Sequence, residues 1–317
     1  MALSNLLWYL YYKALVTVMR AVVFASGRHG RITALDPRGA RRERGVKIPS
    51  RDRGRDIKAE IYYPIAASNQ PLPVLVNWHG SGFIMPLFGA DALYCSRVAQ
   101  EVGIAVIDAD YRKAPETPYP GAVNDVEDVL LWVASQKQRF DPNRIAVSGF
   151  SAGGNLALVA ATKLRKKLAG VINIPVVVSL YPLINLAAPP EAKKVPKPVN
   201  AFPPWRLHAF NNCYAPDPRS RTDPAISPYF ADPADFPGTV VLATCGGDVL
   251  KPEATELGKK LKRINTSGRK IFEHDCEGVR HGFDNGVIED GSFDYARREE
   301  LYTFVTNALK SVFSSQA

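Results

Sequence analysis

Cysteine is scarce in this chain: four occur in 317 residues, Cys95, Cys213, Cys245 and Cys276, and no two form a Cys-x-x-Cys pair. That spacing excludes the usual zinc and redox dithiol motifs, which need paired thiols on one short loop. Free thiols are expected, because a chain with so much apolar material does not depend on disulfides to fold. Repeats and low-complexity tracts are absent too, which removes solenoids and compositionally biased disorder. The net charge is +9, yet the basic runs, Arg38 to Arg44 and Lys163 to Lys167, are short and carry no interleaved aromatics. No nucleic-acid partner is expected from such runs. Nor does any uncharged apolar run reach the roughly 18 residues of a spanning helix. The nearest approach, the stretch ending at Ala25, is interrupted by Lys13 and Arg20, and no basic residue precedes it as a secretory signal would require. Within it Leu3, Leu7, Leu10, Ala14, Val18 and Ala21 recur at three- and four-residue steps, which describes one face of an amphipathic helix. The expectation is a helix packed on the protein in a cytoplasmic chain, with peripheral membrane contact as the alternative.

Apolar residues make up 46% and charged residues 22%, the balance of a globular protein with a substantial core. Short apolar runs rich in β-branched residues lie at Pro73 to Asn77, Ile104 to Ile107, Ile145 to Ser148, Val176 to Leu180 and Thr239 to Ala243. Several are continuous rather than alternating, as in strands covered on both faces. Helix-like stretches separate them at Val123 to Gln136, Ala152 to Lys167 and Glu253 to Arg263, with a last one near Tyr295 to Val312. The alternation predicts an α/β fold with a mostly parallel sheet and helices on both faces. Two segments interrupt it, residues 1–50 and about 185–221. The second crowds Pro189, Pro190, Pro196, Pro198, Pro203 and Pro204 with Phe202, Trp205, Phe210 and Tyr214. Prolines disfavour long regular elements, and the aromatics point to a cap over a site rather than a tether.

The sharpest motif is Gly149-Phe150-Ser151-Ala152-Gly153, set where a strand-like run meets a helix-like one. A serine at such a junction projects its hydroxyl above the sheet edge, and the amide of Ala152 is placed to meet a developing oxyanion. Serine needs a base, and the chain offers five histidines: His29, His79, His208, His274 and His281. His281 follows the serine in a glycine-flanked loop. Asp248 ends a strand-like run and is the predicted partner of the imidazole, with Asp275 and Asp284 as competitors. The order Ser151, Asp248, His281 is that of the α/β-hydrolases. The run His79-Gly80-Ser81-Gly82-Phe83 after another strand predicts further oxyanion donors, the amides of Ser81 and Gly82.

In combination these motifs resemble the hormone-sensitive-lipase-like carboxylesterases, the α/β-hydrolase fold-3 group. The resemblance rests on HGSGF at His79, DADYRKAPETPYP at Asp108, GFSAGG at Gly149, DPAISP at Asp223, GGDVL at Gly246 and RHGF at Arg280, across about residues 55–315. It implies an α/β-hydrolase fold with an eight-stranded sheet and a helical cap, built from N-terminal helices in residues 1–50 and the insertion at about 185–221. Residues 51–317 would form the catalytic domain. It also implies hydrolysis of short- to medium-chain carboxylic esters through an acyl-enzyme, with no metal or cofactor. Trp8, Tyr12, Phe83, Phe202 and Trp205 are expected to contact the small-molecule ester. Two departures stand out: the family's HGGG reads HGSG, placing a Cβ at Ser81 where positive φ is disfavoured, and its DYRLAPE reads DYRKAPE, with Lys113 expected to alter surface chemistry. A lactonase or acyltransferase would use the same triad. Resembling plant hormone receptors bind ligand on this scaffold with a broken triad, whereas all three positions are intact here. Both a monomer and a dimer fit the sequence.

Overall fold

In the computed structural model, which describes residues 3–25, 39–66, 71–264, 268–286 and 288–313, the apolar runs become strands of one eight-stranded sheet. In chain order the strands are β1 (Ala40–Pro49), β2 (Asp56–Pro64), β3 (Leu72–Trp78), β4 (Ala105–Ala109), β5 (Phe140–Phe150), β6 (Val176–Leu180), β7 (Thr239–Cys245) and β8 (Lys270–Cys276). They lie side by side as β1-β2-β4-β3-β5-β6-β7-β8. The pairs β1–β2 and β2–β4 are antiparallel and the rest parallel. Every residue of β4, β6 and β7 is buried, as continuous apolar runs require.

Helices cover both faces. On one side lie α2 (Ala92–Val102) and α7 (Phe293–Phe313); on the other lie α3 (Gly121–Ser135), α4 (Ala152–Val159) and α6 (Lys251–Arg263). Helix α4 runs on through a π turn, Ala160–Leu164, into Arg165–Lys167. Helix α1 (Leu3–Ala25) buries Val16 completely, and Tyr12, Met19 and Val23 pack on the same core.

Two expectations change. Residues 1–50 hold not only helix but also β1, whose charged, half-exposed residues make it the outer strand of the sheet. The α1 stripe read from the sequence does not face the protein: Leu7, Leu10, Ala14, Val18 and Ala21 are all exposed. Periodicity locates an apolar face without saying what medium it meets. The proline-rich insertion supplies a helix, as a helical cap requires: α5 (Pro204–Tyr214), with Pro203 and Pro204 at its start, where a missing N–H costs nothing.

A buried polar layer crosses the central strands. The amide of Asn77 donates to Asp91 at 2.9 Å and Asp108 at 3.1 Å, while Ser148 donates to Asn77 at 2.8 Å. Burial raises the Asp91 carboxyl well above its usual range. It also raises Asp108, to about 7, with the nearby charges of Glu60 and Asp110 adding to the effect. A carboxyl that holds its proton longer in the folded than in the unfolded chain stabilises fully below the unfolded value of about 4, and that contribution is lost as pH rises toward 7. Asp108→Asn should therefore gain apparent Tm relative to the wild type by several degrees between about pH 5 and about pH 8. A difference independent of pH in thermal melts would show that Asp108 is ionised throughout.

Candidate active site

The candidate nucleophile sits on a strained turn. Ser151 joins β5 to α4 with φ 53° and ψ −114°, a conformation that a side chain rarely adopts and that must be imposed by its surroundings. Its N–H donates to Leu180 at 2.9 Å on the adjacent strand, and its carbonyl accepts from Asn155 at 3.0 Å and Leu183 at 3.3 Å. Two residues on, α4 crosses β3 so closely that a Cβ on Gly153 would fall 1.8 Å from the Trp78 carbonyl oxygen. Only glycine permits that crossing.

Ser151, Asp248 and His281 converge on one edge of the sheet. His281 Nε2 lies 2.9 Å from Ser151 Oγ, and its Nδ1 lies 2.6 Å from Asp248 Oδ2. A carboxylate only accepts, so Nδ1 carries the proton and Nε2 is left to accept from the serine hydroxyl. The loops bearing Asp248 and His281 are stitched together: Gly246 donates to Cys276 at 2.8 Å, and Gly247 donates to Val279 at 3.0 Å. The competing carboxylates are engaged elsewhere. Asp275 accepts from Thr244 and Lys251; Asp284 accepts from Tyr181 at 2.6 Å and Tyr302 at 3.0 Å. His208 faces Glu191 and His274 stacks on Phe304, while His29 lies outside the described residues. All four cysteines are buried free thiols. Burial lifts Cys213 and Cys276 to about 12 and Cys95 and Cys245 well above the usual range, so none supplies a thiolate near neutral pH.

The loop after β3 is braced from below. Its left-handed residues are Gly82 (φ 56°) and Phe83 (φ 63°), so the Cβ of Ser81 meets no conformational penalty. Instead the Ser81 hydroxyl is bonded to Tyr111 at 2.6 Å. Tyr111 donates its one hydroxyl proton to the His79 carbonyl at 2.8 Å, which makes Ser81 the donor to Tyr111. Burial, and after it the Lys113 charge, lowers the pKa of the His79 ring. The Lys113 ammonium binds Asp110 at 2.7 Å and lies 3.5 Å from the centre of the Tyr111 ring. Asp110 in turn faces His79 Nε2 at 3.2 Å. Lys113 is thus not a surface substitution; its side chain is 11% exposed and belongs to the support of this loop. Ala152 is the first residue of α4, where an N–H has no partner inside the helix.

Helix α5 roofs the site. A Cβ on Gly82 would fall 2.6 Å from the Phe210 ring, and Tyr214 stacks on Phe83 at 3.7 Å between ring centres. Phe202 lies 4.8 Å from the His281 ring, which Tyr181 approaches edge-on at 5.0 Å. The insertion is anchored by a buried ion pair between Lys193 and Glu253, whose other oxygen accepts from Ile184 at 2.8 Å. Of the five residues expected to touch substrate, Phe202 stands beside His281 and Phe83 lies in the loop after β3. Trp205 is 51% exposed beneath the Arg206 guanidinium. Trp8 packs on Tyr12, whose hydroxyl accepts from Asn212 of α5; among the described contacts neither reaches Ser151 or His281. Phe210 and Tyr181 were not singled out as site residues. Phe210 was visible only as one cap aromatic among several, and nothing local to Tyr181 signals its approach to His281.

The profile of a family with the α/β-hydrolase fold matches residues 75–285. The chain is 31% identical over 236 residues to the esterase LipI of Mycobacterium tuberculosis, covering 72% of this chain and 71% of that protein. It is 29% identical over 265 residues to the carboxylic ester hydrolase LipN of the same organism, covering 81% and 68%. Among solved structures, the hyperthermophilic esterase of Pyrobaculum calidifontis superposes with a TM-score of 0.76 at 28% identity, over 98% of this chain and 99% of that one.

Removing the Tyr111 hydroxyl leaves Ser81 and the His79 carbonyl without their shared partner. Tyr111→Phe should lower kcat on an aryl acetate about 10- to 100-fold with little change in KM, short of the 100- to 1000-fold typical when a donor is lost outright. Unchanged kcat in steady-state assays would mean that the loop keeps its shape without this brace.

Proposed function

As the chain belongs to the hormone-sensitive-lipase-like α/β-hydrolase family of carboxylic ester hydrolases, we propose that it cleaves short- to medium-chain esters through an acyl-enzyme on Ser151. The observation that carries this reading is the continuous line from Asp248 through His281 to Ser151, at 2.6 and 2.9 Å.

In the proposed cycle His281 Nε2 takes the Ser151 proton as Oγ attacks the ester carbonyl. The amides of Ser81, Gly82 and Ala152 receive the developing oxyanion, and Asp248 stabilises the imidazolium without taking its proton. The imidazolium then protonates the departing alkoxide. Water enters, His281 removes its proton, and the acid is released as Ser151 recovers its hydroxyl. Phe202 and Phe210, held close above His281 and Gly82, favour acyl groups of limited size.

Ser151→Ala should lower turnover on chromogenic aryl esters by on the order of 10⁴- to 10⁶-fold. The same substitution should abolish labelling by a fluorophosphonate, read as a mass increment on the peptide containing Ser151. Retained turnover would reject this serine. Across an acyl series from acetyl upward, kcat/KM should peak at short to medium chains; a rise that continues to long chains would reject the size limit alone. The rate should also fall toward acid pH, since a protonated Nε2 cannot accept from Ser151. A flat acid limb would remove His281 as the base.

A further inference from the structure

Helix α1 inverts the polarity of an ordinary surface helix, which turns its apolar stripe to the protein and its charges to water. Its outward residues Leu7, Leu10, Tyr11, Val18, Val22 and Phe24 are between 51% and 81% exposed. Its two charged side chains point the other way. Lys13 and Arg20 both bind Glu116, and Arg20 also donates to the carbonyls of Ile84 at 2.8 Å and Ala114 at 2.9 Å. Burial opposes ionisation of Glu116, but the bonds from Arg20 and Lys13 hold its carboxyl down at about 2. The stretch Leu6–Ala25 has a mean hydropathy of 1.3, and only 6% of its most apolar window is buried. A continuous apolar line along about 30 Å of helix is far more than the scattered surface leucines of a soluble protein.

Length and composition alone would let this stretch cross a membrane. Its attachments argue for a different placement. Spanning would draw Lys13 and Arg20 away from Glu116 into hydrocarbon, a costly position for either charge. Packed as it is, α1 can only lie flat. A second copy of the chain could cover the line only if two α1 helices ran nearly parallel along its whole length. A lipid surface covers the whole line at once, and the net charge of +9 suits anionic headgroups.

We propose that α1 lies in the plane of an anionic membrane surface, its outward stripe in the acyl boundary, making this a monotopic membrane protein. Arg20 holds the carbonyl of Ile84, next to Phe83 of the oxyanion loop, and Tyr12 is bonded to Asn212 of α5. Lipid contact therefore brings the cap and that loop to the membrane, where apolar esters concentrate. This last step rests on the esterase reading; the lipid contact does not.

The test is co-sedimentation of the full chain with phosphatidylcholine vesicles, with and without a minority of phosphatidylserine. Wild type should bind the anionic vesicles at least about tenfold more tightly than the neutral ones. The variant Leu7→Glu/Val18→Glu/Val22→Glu should lose at least about 100-fold in affinity while keeping its kcat/KM on a water-soluble aryl acetate without vesicles. Ser151→Ala should bind as wild type does, so failure of the esterase reading and failure of the lipid contact appear in different measurements. Wild type that stays in the supernatant, or a triple variant that still sediments, overturns the proposal. So does a wild-type dimer in light scattering that the triple variant converts to monomer, and equal binding to both vesicles overturns the choice of anionic lipid.

Discussion

The strained turn at Ser151 is the constraint on which the rest of the structure depends. A positive φ at a serine survives only where neighbouring strands hold the backbone on both sides, and here Leu180 and Leu183 of the β6 edge do so. The helix that follows must cross β3 at glycine distance, so Gly153 is dictated by a backbone oxygen rather than by chemistry. Because β3, β5, β7 and β8 run parallel, the loops that follow them leave from one edge. A hydroxyl, an imidazole, a carboxylate and a glycine loop that are remote along the chain thus meet in one place.

The segment from Asp110 to Glu116 ties the separate layers together. Asp110, Tyr111 and Lys113 brace the loop after β3; Arg112 pairs with Asp52 and the fully buried Asp125. Glu116 holds the charged face of α1. The two places where the chain departs from the family pattern, Ser81 and Lys113, both touch Tyr111. They form one local solution: a hydroxyl above the phenol and a cation against its ring. The roof is attached independently, through Lys193 and Glu253 and through Val199, which donates to the Gly247 carbonyl at 3.0 Å beside Asp248.

The fully buried strands β4, β6 and β7 and the buried stretches of β3 and β5 announce themselves as unbroken apolar runs, whereas the polar first half of β5, Asp141 to Arg144, does not read as strand. Nor do β1, β2 and β8, since each carries charged residues along its length and reads locally as surface. Among the expected substrate contacts, Phe83 belongs to the loop after β3 and Phe202 lies 4.8 Å from the His281 ring. Trp205 sits at the first turn of α5 with its ring turned outward, and an aromatic residue type alone cannot convey that direction.

The sequence by itself determined the fold class and the strand-to-helix junction at Ser151, and it pointed to Asp248 and His281 as the side chains to meet there, because few residue types suit that chemistry and only five histidines were available. Tertiary structure alone decided which aromatics stand over His281, what Lys113 supports, and which way the apolar stripe of α1 turns. Periodicity and motif record the spacing of residues along one strand or helix. Direction, burial and pairing depend on what packs against that element from elsewhere in the chain, and this is settled only when the sheet has formed.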